Sequence, residues 1–94
     1  MFKTNEYFDG KVKSLAFETS EGPATLGVMA PGDFEFGTST WEHMTVITGA
    51  LTIRLPGAAE WREYGPGESF EVQAKQRFGV KVAENTSYLC RYGK

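Results

Sequence analysis

The sequence has 94 residues, 40% hydrophobic and 23% charged, with a net charge of −2, so it supports one domain over residues 1–94 with one modest core. A pI near 5.4 argues against nucleic acid or an anionic membrane as partner. Cys90 is the lone cysteine, no apolar run approaches membrane-spanning length, and Met1 to Glu6 lacks the apolar stretch of a signal peptide. A cytoplasmic protein without disulfides is the expectation.

Turn residues punctuate the chain at the rhythm of an all-β sandwich or barrel, and the pattern predicts about nine strands and no helix. The first clear strand is expected over Lys11 to Phe17, with Lys11, Lys13, Leu15 and Phe17 on one face and Val12, Ser14 and Ala16 on the other. The larger apolar residues therefore share a side with two lysines, which suits a strand that is core at one end and mouth at the other. Ala24 to Met29 follows, then the turn Pro31-Gly32-Asp33, then Phe34 to Thr38 with both phenylalanines inward if Glu35 is solvated. Further strands are expected over Trp61 to Tyr64, around Phe70 and Val72, around Phe78, Val80 and Val82, and from Ser87 to Tyr92.

The centre of the pattern is Glu42 to Ile53, which reads as a hairpin turning at Gly49. Leu51, Ile53 and Leu55 share one face of its second strand. Glu42 stands apart, because a carboxylate heading a core strand needs a partner or loses its charge. His43 has the opposite parity and is expected to face outward, and Cys90 to be buried filler. Arg91 alternates with Leu89 and is expected to point into the barrel, where it needs an anion, either phosphate or Glu42. Tyr88 and Tyr92 take the parity opposite to Arg91.

The glycine turns flanking paired strands favour the double-sheet jelly roll of the cupins, a β-barrel with few exposed edges. Ala30 to Gly49 resembles the first cupin motif, with Glu42 and Gly49 at the separation of its glutamate and closing glycine. That register puts Phe36 and Thr38 where the two metal-binding histidines belong, and the second motif, aligned on Gly67, puts Phe78 at the third. The expectation is a site with no metal and no cofactor, since one histidine and one glutamate cannot build the facial site of a cupin dioxygenase or isomerase.

A wider likeness runs through Asn5-Glu6-Tyr7-Phe8, Gly10 to Ser14, Gly27-Val28-Met29, Glu42 with Met44 to Ile47, Gly49-Ala50-Leu51 and Thr86 to Tyr92. These segments resemble the small cupin-type pyrimidine/purine nucleoside phosphorylases of bacteria. The resemblance implies a metal-independent enzyme in which phosphate splits diverse nucleosides into free base and α-ribose-1-phosphate. Such chemistry needs negative charge near the sugar, donors for phosphate and stacking surfaces for the base. Glu42 and Arg91 are the candidate catalytic pair, for sugar and phosphate respectively. Phe36, Thr38, Phe78, Lys11, Lys13 and Tyr92 are candidate substrate-binding residues. A metal-free cupin that merely binds a sugar or nucleoside-like ligand would have the same residues. A homodimer that buries Trp41 and Trp61 is the expected assembly.

Overall fold

The computed structural model describes residues 2–93, arranged as ten strands. They are β1 (Lys3–Tyr7), β2 (Val12–Thr19), β3 (Gly22–Met29), β4 (Gly32–Gly37), β5 (Glu42–Thr48), β6 (Leu51–Arg54), β7 (Arg62–Tyr64), β8 (Ser69–Val72), β9 (Arg77–Val82) and β10 (Thr86–Tyr92). A six-stranded sheet runs β1-β2-β3-β10-β5-β8, and a four-stranded sheet runs β4-β9-β6-β7. The two pack face to face as a jelly roll, and neither sheet is closed by hydrogen bonds into a barrel.

Alternation explains the core. Met44 and Val46 of β5, Leu51 and Ile53 of β6, Phe70 and Val72 of β8 and Phe78, Val80 and Val82 of β9 all lie between the sheets. The residues between them on each strand face solvent or the outer surface.

Three expectations need correction. First, Glu42–Thr48 and Leu51–Arg54 do not pair as a hairpin: β5 bonds to β10 and β8, while β6 bonds to β9 and β7. Gly49, at φ 83°, carries the chain from one sheet to the other. The Thr86 hydroxyl holds this crossing, accepting from the Ala50 amide at 3.1 Å and donating to the Ala50 carbonyl at 3.0 Å.

Second, β2 presents the opposite face to the core. Val12 and Ser14 are buried, whereas Lys11, Lys13 and Leu15 lie on the outer surface. Both faces of β2 carry apolar residues, so composition did not decide between them. The four-stranded sheet covers the Val12 side.

Third, β1 is an additional strand that alternation does not signal. It is polar and exposed along most of its length, and it is held by its antiparallel ladder to β2 from Lys3↔Ala16 to Tyr7↔Val12.

The β1–β2 connection is unusual. Phe8 and Asp9 have φ of 54° and 57°, and Gly10 follows at 86°, so three successive residues are left-handed and only the third is glycine. The amides of Gly10 and Lys11 donate to the carbonyls of Tyr7 and Phe8, each at 3.2 Å. Left-handed geometry costs a side-chain-bearing residue about 1–2 kcal/mol. No described helix is long and apolar enough to cross a membrane.

Candidate active site

Between the sheets, at the end where the β1–β2 turn meets β4, lies a cavity of about 300 Å³. Its walls are aromatic: Tyr7 from the end of β1, Phe8 from the turn after it, Phe36 from β4, Phe78 from β9, and Tyr88 and Tyr92 from β10. Phe36 and Phe78 are cross-strand neighbours, with ring centroids 5.9 Å apart and planes inclined by 29°. Ser14, Met29, Met44, Glu42 and Cys90 complete the interior, and Glu35 and Gly37 lie at the rim.

Glu42 enters this space because it begins β5 with the parity of Met44 and Val46, which face the core. Its neighbour across the sheet is β10, whose inner residues Tyr88, Cys90 and Tyr92 share the cavity. The Cys90 thiol donates to Glu42 Oε1 at 3.6 Å. Burial raises the Glu42 pKa above the ordinary carboxylate value, partly offset by that thiol. Burial likewise pushes the Cys90 thiol and the Tyr88 and Tyr92 phenols well above their usual range, so all three are neutral donors at physiological pH. The Tyr92 hydroxyl is tied to Thr25 Oγ1 at 3.0 Å.

The site contains one half-buried carboxylate, Glu42, on a neutral aromatic floor, with the exposed Glu35 at its rim. Among the described residues that line it, none is lysine or arginine.

A profile of the pyrimidine/purine nucleoside phosphorylase family matches residues 2–92. A pyrimidine/purine nucleoside phosphorylase of Alcanivorax borkumensis is 63% identical over 94 residues, covering all of both chains. The chain belongs to the pyrimidine/purine nucleoside phosphorylase family. The solved structure of a Vibrio parahaemolyticus protein of unknown function is 44% identical with a TM-score of 0.95, covering 99% of each chain. A cupin superfamily protein from Desulfitobacterium hafniense, 16% identical, superposes with a TM-score of 0.70 over 92% of this chain and 80% of that one. The last likeness concerns the fold, which is the cupin jelly roll anticipated from the glycine turns.

The expected site residues separate into two groups. Glu42, Phe36, Phe78 and Tyr92 come together in the cavity. Thr38 does not line it. Its hydroxyl donates to the Gln73 carbonyl at 2.6 Å and accepts from the Gln76 amide at 3.0 Å, clasping the loop in which Lys75 adopts φ 61°.

Arg91 turns away from the cavity, because Cys90 takes the inward parity on β10. Its guanidinium is paired with Glu21 on the outer surface. Lys11 and Lys13 are also exposed, on the outer side of β2. His43 faces outward as expected, stacked on Trp41 at 6.0 Å between centroids.

The residues do not fit a cupin metal. Phe36 and Phe78 offer no donor, the Thr38 hydroxyl is committed to backbone, and no three His, Cys, Asp or Glu residues cluster among those described.

Sequence reasoning missed Tyr7, Phe8, Ser14 and Tyr88 as lining residues. Tyr88 was signalled by its parity with Tyr92. Tyr7 and Phe8 lie on a strand and turn that alternation could not place.

Proposed function

We propose that this cavity carries out phosphorolysis of purine and pyrimidine nucleosides. A phosphate oxygen forms a bond to C1′ of the ribose, the C1′–N bond breaks, and its electron pair leaves on the base nitrogen, which takes up a proton. The products are free base and α-ribose-1-phosphate. The observation that carries the reading is Glu42, a lone half-buried carboxylate facing a cavity walled by aromatic rings, in a chain of this family.

As the glycosidic bond breaks, positive charge develops on the sugar. A carboxylate in a partly desolvated site stabilises that charge more strongly than one in water. Phe36 and Phe78 supply faces on which any base can stack, so the site tolerates both base classes. Tyr92 provides a hydroxyl at the cavity wall.

Phosphate needs a cation. Arg91 is turned away on β10, and no lysine or arginine among the described residues lines the cavity. We therefore assign this role to Arg77, which is also exposed and outside the cavity but stands beside its rim. This residue lies opposite Gly37 of the rim, and its Nε is 3.3 Å from the carboxylate of Glu35, also a rim residue. Both groups are solvent-exposed and their pairing is weak, so phosphate can displace the carboxylate from the guanidinium fork.

The test is phosphate-dependent release of base from uridine and adenosine by the pure protein. Glu42→Gln should lower kcat by about 10²-fold with the KM for phosphate little changed. Arg77→Ala should mainly raise the KM for phosphate, and Arg91→Ala should leave both constants near wild type. A wild-type protein that binds nucleoside but releases no base would instead be a ligand-binding cupin.

We further propose a homodimer in the reducing cytoplasm, where Cys90 stays a thiol. Trp41 and Trp61 each meet a partner within the chain, although Trp61 stays 38% exposed. The Trp41 Nε1 donates to Glu71 at 3.3 Å, and Lys81 Nζ sits 4.4 Å from the Trp61 ring centroid. The face suited to a second copy is instead the outer side of the six-stranded sheet. There Leu15, Leu26, Val28 and Ile47 are 44–53% exposed. Cross-strand partners Glu6 and Lys13 put both charge signs at its margin, so the same patch can meet itself without like-charge repulsion. Light scattering should find a dimer, and Val28→Glu should convert it to monomer. A monomeric wild type at micromolar concentration would sink this assignment.

A further inference from the structure

We propose that Phe8, held across the cavity mouth by the strained β1–β2 turn, is the residue that closes over the nucleobase. The inference rests on the nucleoside reading of the cavity and extends it to a residue outside the cupin motifs.

The turn explains where the ring goes. Four residues, Phe8 to Lys11, join the paired Tyr7 and Val12. The bond from the Gly10 amide to the Tyr7 carbonyl closes a turn whose two central positions need positive φ, which Asn-Gly or Asp-Gly supplies without strain. Here Phe8 and Asp9 occupy those positions, at 54° and 57°. A phenylalanine at the first of them gains nothing for the turn itself. What it gains is direction: the ring leaves β1 and crosses to the opposite sheet, reaching Phe34 at 4.9 Å and Phe36 at 5.4 Å between centroids. Local strain of this kind collects where a side chain must be aimed at a ligand.

Burial excludes a role as simple core filler. Phe34, its nearest aromatic neighbour, is 8% exposed, whereas Phe8 is 43% exposed and lines the cavity. A large ring left half in water over a cavity mouth has an unfilled apolar face, and a nucleobase is the component of a nucleoside that can cover it. The planes of Phe8 and Phe36 are inclined by 87°. Together they form a corner: a base lying flat on one ring presents its edge to the other. Neither contact reads the hydrogen-bonding groups of the base, so the corner accepts purines and pyrimidines alike. The ribose is then directed inward, toward Glu42.

The experiment compares wild type, Phe8→Ala and Phe8→Tyr. KM is measured for uridine, adenosine and phosphate, and uridine affinity is measured by calorimetry without phosphate. Phe8→Ala should raise the KM for both nucleosides and weaken uridine binding, each by about 10-fold, the order expected for one lost base-stacking contact. The KM for phosphate should stay within about twofold, and Phe8→Tyr should recover most of the loss.

A purely structural ring would lower the melting temperature and leave these constants unchanged. A folded Phe8→Ala protein with wild-type nucleoside KM and uridine affinity overturns the proposal, as does a loss shared equally by phosphate. Failure of the parent reading looks different. If uridine binds in a Phe8-dependent way while no base is released, the reaction is wrong and the lid stands.

Discussion

The Cys90 Sγ lies 3.6 Å from Glu42 Oε1, joining the inner faces of β10 and β5 where they share the cavity. The two groups influence each other's proton. The thiol donates to the carboxylate and lowers its pKa, while burial and the nearby carboxylate both push the thiol upward. Cys90→Ala should therefore raise the Glu42 pKa further, moving the acid limb of the kcat profile to higher pH. A limb that stays in place would show that the contact is absent in solution.

Stability should report the same carboxyl. Its pKa is raised in the folded state, mainly by burial, so the native protein binds that proton more tightly than the unfolded chain does. The stability it contributes is fully present below the ordinary carboxylate pKa and is lost as pH rises through the folded value. Urea midpoints of wild type, relative to Glu42→Gln, should fall between acidic and neutral pH. An unchanging difference would mean that Glu42 is solvated like a surface residue.

The Cys90 thiol itself should be inert. It is 2% exposed, and its thiolate is disfavoured by burial and by Glu42. An aromatic disulfide reagent should modify native protein orders of magnitude more slowly than urea-unfolded protein, at a rate set by opening of the fold. Rapid modification of the native state would place the thiol on an accessible surface.

Thr38 should matter for stability and not for substrate. Thr38→Val removes the part-buried clasp from the buried Thr38 hydroxyl to the Gln73 carbonyl and the Gln76 amide. A loss of about 1–3 kcal/mol is expected, with KM for nucleoside and phosphate unchanged in the folded fraction. A rise in the phosphate KM with wild-type stability would return Thr38 to the site.

Gly27 should be sensitive for the reverse reason. It faces Tyr88 across the β3–β10 ladder, and a methyl group there would occupy the space of the Tyr88 ring. Gly27→Ala should cost about 1–3 kcal/mol by overpacking and push Tyr88 into the cavity, raising nucleoside KM. Unchanged stability and kinetics would indicate a ring free to swing elsewhere.

The residue order alone determined that the chain is all-β, which residues share a face, and that phenylalanines stand where a cupin would hold histidines. These are local properties: a strand alternates sides with period two whatever it packs against. Hence Phe70, Val72, Phe78, Val80 and Val82 were legible as one core set, and Glu42 as its odd member.

Which face is inward is not local when both carry apolar groups. In β2 the choice between Leu15 and Val12 was made by the four-stranded sheet lying over the Val12 side. In β10 the same packing put Tyr88, Cys90 and Tyr92 inside and left Arg91 to Glu21. The partners of β5 and β6, though adjacent in sequence, were set by β10 and β9, more distant in the chain. The position of Phe8 needed both a left-handed turn and the opposing rings of β4, which lie beyond the reach of any sequence period.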